Sequence, residues 1–279
     1  MEPAEGGRPF PNVWQGAGIA LVYLALSTWM GALVSAAAGI LRFPLWTALV
    51  PGLLLGFPLA LLFGLWLGRL DLWDILAFRR VRPGIWLPLI LTHVGFFVLI
   101  ATFVHGVGRG LDLFLPETVR STLLREADPL AAAPKPILAL LVLGAVLPEE
   151  VLFRGLILRG LLQRHRPGRA IWLSALLFMA VHGNPLQFPV AIMIGATAGW
   201  YYQATGSLWP GLVAHALQNL LAAVFLQPEA LDAHSLTLYP LPPLAWILAA
   251  PAAVALGLLW LRWQFRRPVP APLGVLGLE

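Results

Sequence analysis

The stretch VLGAVLPEEVLFRGLILRG, residues 142–160, decides how the rest of the chain is read. Two adjacent glutamates, Glu149 and Glu150, and one arginine, Arg154, stand in a run otherwise apolar enough to cross a bilayer. A crossing helix takes roughly 20 apolar residues. Ions placed inside one are costly, and each marks a candidate functional site.

The surroundings support that setting. The chain has 279 residues, 59% hydrophobic and only 11% charged. A soluble domain carries about 25% charged residues. Low charge with repeated apolar runs predicts an all-α, polytopic membrane bundle. About eight spans are expected, near 14–39, 46–68, 85–107, 136–158, 170–184, 188–204, 208–226 and 243–263. The net charge of +5 comes from arginines gathered between spans, as in FRRVR (78–82) and RHRPGR (164–169). Such clusters set topology and meet anionic headgroups rather than nucleic acid. There is no cysteine, which removes disulfides, thiolate nucleophiles and Cys-ligated zinc.

Arginines follow spans 2, 4 and 8, while the loops after spans 5 and 7 carry no Lys or Arg. The positive-inside rule then puts both termini on the cytoplasmic side of an integral membrane protein, expected in the cell membrane. The expected organisation is 1–135 for the first spans and a surface segment, 136–226 for a catalytic core, and 227–279 for the last span and a Pro-rich tail. Within 108–135, apolar and charged residues alternate at helical spacing around Leu111, Phe114, Leu115, Leu123 and Leu124. That pattern predicts a short amphipathic helix on the membrane surface.

The other ionisable groups inside the expected spans are few: His93 and His105 in span 3, His182 in span 5 and His215 in span 7. Every aspartate falls in an expected loop, Asp112 among them. Glu150 and Arg154 are spaced i, i+4 and share a helix face, so each can neutralise the other. Glu149, rotated by about 100° from Glu150, has no such partner on its own helix and suits general base work. Pro148 removes a backbone N–H just before it and is expected to kink the helix. His215 and Asn219 are again i, i+4. Counted along their spans, Glu149, His182 and His215 lie roughly 10–18 Å deep at 1.5 Å per residue, so they could meet in one cavity. No HExxH motif occurs, no pair of intramembrane aspartates exists, and Ser174 and Ser207 sit in no GxSxG-type turn. What is left, a carboxylate with imidazoles, suits activation of water.

Three motifs then stand in chain order on spans 4, 5 and 7: EEVLFR (149–154) as EExxxR, FMAVH (178–182) as FxxxH, and HALQN (215–219) as HxxxN. Together they resemble the CPBP family, also called Abi, of CAAX-type prenyl proteases and bacteriocin-processing or immunity proteins. The resemblance covers about residues 136–226. It implies an eight-helix intramembrane endopeptidase. Glu149 and His182 would activate the attacking water, and His215 and Asn219 would stabilise the oxyanion. Glu150 and Arg154 would support them, and Phe178 reads as helix packing. The family is often named a metalloprotease. A glutamate with two histidines, here Glu149, His182 and His215, can hold zinc with one position open for water. Glu150 is then the candidate base. The same groups can also work without metal, with Glu149 as base and His215 and Asn219 as donors. Both readings stay open at this stage. The expected partners are the lipid bilayer and a membrane-associated protein or peptide substrate, prenylated or not. A non-catalytic immunity or scaffold protein of the same fold is the alternative. A proton-coupled transporter ranks below it, because the polar residues cluster in the second half rather than in paired broken helices.

Overall fold

The computed structural model describes residues 10–41, 56–124, 134–183, 185, 187–225, 235–237 and 239–266. Among these residues every regular element is helical. In chain order they are α1 (Val13–Leu41), α2 (Phe57–Gly68), the single turn α3 (Leu72–Ile75), α4 (Trp86–Phe114), α5 (Glu117–Leu124), α6 (Lys135–Leu162), α7 (Pro167–Ala180), α8 (Phe188–Thr205), α9 (Trp209–Phe225) and α10 (Leu244–Arg266). Each expected span meets one helix. Val13–Val34, Pro83–Phe114, Lys135–Leu162 and Leu244–Arg266 are long and apolar enough to cross a membrane. Phe57–Gly68, Pro167–Ala180 and Trp209–Phe225 are shorter apolar helices. The expected start of span 2 at 46–55 and the Pro-rich tail from 267 lie outside the described residues.

Local sequence explains the boundaries. Pro167 opens α7 and Pro189 lies in the first turn of α8, where a missing N–H costs nothing and the fixed φ suits a helix. Gly206 closes α8 at φ 63°, a left-handed stop that glycine adopts without strain.

Two expectations need correcting. The segment from 108 does not begin a surface helix, because α4 runs on to Phe114 and takes Leu111 and Asp112 into its last turn. The separate helix is α5 alone, and residues 125–133 lie outside the described residues. The C-terminal part of span 5 is also displaced. α7 ends at Ala180, and Gly183 takes φ 66°, so His182 sits in the closing turn rather than inside a span.

The outer faces of the helices carry exposed Trp14, Leu21, Trp66, Leu140, Leu248 and Leu256. So much exposed apolar surface is abnormal in water but matches acyl chains. Inside, α6 is the hub. Leu152, Phe153 and Leu156 pack against Ile19, Phe57 and Phe178. α9 touches α6, α8 and α4, and α4 lies along α10.

The basic connections gather at one end of the bundle. The Leu208 N–H donates to the Ala77 carbonyl (2.8 Å), and the Ser207 hydroxyl donates to the Arg79 carbonyl (2.8 Å). Gln264 packs on Gly84, and Pro11 packs on Gly160. At the other end, the Asp112 carboxylate accepts from the Ser235 hydroxyl (2.6 Å) and the Leu236 N–H (3.0 Å).

Candidate active site

The site starts from a flaw in α6. Pro148 stands inside the helix. It has no N–H to donate one turn back, and its ring crowds that carbonyl. The two glutamates follow it directly, and Val151–Leu158 are then π-helical, every residue buried. Such wide turns are rare and recur at functional sites.

Arg154 and Glu150 pair as their spacing requires. Nη1 lies 2.9 Å from Oε1, with side-chain exposures of 1% and 0%. The guanidinium also donates from Nη2 to the Ile194 carbonyl (3.0 Å) and lies 4.6 Å from the centre of the Phe178 ring. α9 brings the next member. The two ring nitrogens of His215 divide the adjacent glutamates, Nδ1 lying 3.0 Å from Glu150 Oε1 and Nε2 3.5 Å from Glu149 Oε2. Glu149 therefore has a partner after all, on another helix. The close approach depends on Gly211, one turn before His215, where a Cβ would stand 2.6 Å from Glu150 Oε2.

His182 is fixed from its own helix. Its Nδ1 lies 2.8 Å from the Phe178 carbonyl, which can only accept, so Nδ1 carries the proton and the neutral ring keeps its lone pair on Nε2. The buried Phe178 ring is the hinge of the arrangement. It meets His182 at 4.8 Å, His215 at 5.6 Å and Phe153 at 5.0 Å, each edge to face. This is helix packing, as expected, but the helices it packs are those that carry the site. Ser174 donates to the Phe153 carbonyl (3.2 Å) and ties α7 to the π-helical segment. Asn219 departs from expectation. Its amide nitrogen donates to the Val142 carbonyl (2.9 Å), so it joins α9 to α6 rather than standing beside His215 as a free donor.

Comparison with known proteins follows the same residues. Residues 131–221 match the family described as "Type II CAAX prenyl endopeptidase Rce1-like". A Bacillus subtilis (strain 168) protein named "Putative membrane peptidase YdiL" is 25% identical over 145 residues. That alignment covers 51% of this chain and 58% of the relative's length. Both matches fall on the stretch that carries the three motifs and agree with its resemblance to the CPBP family. No solved structure matches.

Within this core the charged groups meet one another directly. Arg154 balances one carboxylate. The second carboxylate, Glu149, meets the His215 imidazole 3.5 Å away. Among the described residues no group of three His, Cys, Asp or Glu side chains is arranged to hold a metal ion. His215 already faces a carboxylate with each nitrogen. The expected zinc set of Glu149, His182 and His215 is not gathered into such a group here, and no chemical step is routed through a metal.

One polar group escaped the sequence reading. Gln218 is 1% exposed and lies three residues after His215. Its amide nitrogen donates to the His93 carbonyl (2.6 Å) and faces His93 Nδ1 (3.3 Å), while His93 Nε2 meets the Tyr201 hydroxyl (3.1 Å). The signal was present in HALQN, but a search for ionisable groups passes over glutamine and tyrosine.

Proposed function

We propose that the chain is an intramembrane endopeptidase that hydrolyses a peptide bond of a membrane-associated protein or peptide with water activated by Glu149. The observation that carries this reading is the bridge from Glu149 through His215 to the Glu150–Arg154 pair. In this reading His215 carries a proton and Glu149 is a carboxylate. Its Oε2, 3.5 Å from His215 Nε2, makes no shorter hydrogen bond among the described residues and can accept from a water.

The reaction then runs as follows. Glu149 takes a proton from water as its oxygen attacks the scissile carbonyl carbon. His215, charged and held from behind by Glu150, donates from Nε2 to the developing oxyanion. Collapse breaks the C–N bond, and the departing amine takes its proton from Glu149. The Nε2 lone pair of His182 accepts from the water and orients it. Asn219 acts as a tether for α9. The gathering of basic loops at one end supports both termini lying on the cytoplasmic side of the cell membrane.

The test uses purified protein in lipid nanodiscs and two quenched fluorogenic peptides with an apolar segment, one ending in a farnesylated cysteine and one unmodified. Glu149→Gln should lower cleavage by about 10²–10⁴-fold with no loss of thermal stability. Full retained cleavage would remove Glu149 from its role. Undiminished function in cells with both Glu149→Gln and His182→Ala would favour the non-catalytic alternative.

A further inference from the structure

The His93–Tyr201–Gln218 cluster takes no part in the reaction above, yet it places three polar side chains where exposure is 0%, 0% and 1%. Its internal logic is fully determined. The His93 carbonyl can only accept, so the Gln218 atom 2.6 Å from it is the amide nitrogen. That nitrogen also faces His93 Nδ1 at 3.3 Å, so Nδ1 is the acceptor and the ring proton is on Nε2. Nε2 then donates to the Tyr201 hydroxyl at 3.1 Å. One chain of donors thus links α9 to α4 and α8. Gln218 Oε1 remains buried with no partner among the described residues, which is a cost. Apolar residues of the same volume would hold three helices together as well or better. What the cluster adds is direction.

We infer that Gln218 is a positioning residue for His215, and that its bond to α4 fixes the rotation of α9 which aims the imidazole between Glu149 and Glu150. α9 is then held on two sides within one turn of His215, by Gln218 to α4 and by Asn219 to the Val142 carbonyl of α6. The leverage is large. A rotation of about 10° moves a ring about 6 Å from the helix axis by about 1 Å, and a misplacement of that size can cost about 10²-fold in rate. The inference rests on the proposed function for its effect on rate, but not for its geometry.

The experiment therefore reads geometry first. Full-length protein labelled with ¹⁵N-histidine is compared with Gln218→Met, with the His215 resonances assigned from His215→Ala. The His215 ring resonances should move while the thermal midpoint stays within a few degrees. With the unmodified fluorogenic peptide, kcat should fall tenfold or more and KM should stay within twofold. If Gln218→Met does not fold, Gln218→Asn, one methylene too short to reach the His93 carbonyl, gives the same readings. Unmoved His215 resonances overturn the inference whatever the rate does. If wild type cleaves neither peptide, the proposed function fails while the resonances still decide the role of Gln218.

Discussion

Two buried polar clusters meet on α9, one against α6 and one against α4, and they solve the problem of apolar surroundings differently. The first, around Glu149, Glu150, Arg154 and His215, is ionic and balances charge with charge. The second, around His93, Tyr201 and Gln218, is neutral and passes donors from group to group. An ion pair loses its compensation all at once when a member is removed, whereas a neutral chain loses one bond at a time. The ionic cluster suits proton transfer, and the neutral one suits alignment.

That contrast can be broken from the ionic side. Arg154→Leu leaves Glu150 buried without its counter-ion and should cost about 3–5 kcal/mol of stability, read as a large fall in the thermal or denaturant midpoint, with cleavage lost as well. Asn219→Ala is a sharper probe. As a tether it should cost about 1 kcal/mol and less than tenfold in kcat. A loss of about 10²–10³-fold in kcat would instead give Asn219 the oxyanion role that its motif implies. The smallest effect belongs to the neutral cluster. Tyr201→Phe removes the acceptor of one His93 bond, so it should cost about 1 kcal/mol or less and change kcat by under threefold.

The parts of the site that lie on one helix were legible in the sequence. Glu150 and Arg154 pair because i, i+4 is a property of the helix itself. The meeting of Glu149 with His215 is legible only as a match of depth and motif, and His182 is linked to them through the Phe178 ring. That one imidazole divides two adjacent glutamates depends on how α9 approaches α6, and spacing along a chain says nothing about a crossing. His215 and Asn219 point the same way in sequence, yet they find different partners, because Asn219 meets a backbone carbonyl seven residues before Glu149. The end of α7 was missed for a local reason, since the left-handed turn at Gly183 interrupts no hydrophobic pattern. Asp112 falls in an expected loop because span 3 is expected to end near 107, whereas α4 runs on and carries it in its last turn.

Gly211 gives the chemist a handle that the motifs do not. It belongs to none of them, yet a single added methyl there would press on Glu150 Oε2 from the backbone side and also meet the Ala198 side chain. Every residue of the proposed reaction would remain in the chain while the support behind His215 was displaced. Under the proposed reaction, a protein altered in that way would hold its peptide uncut.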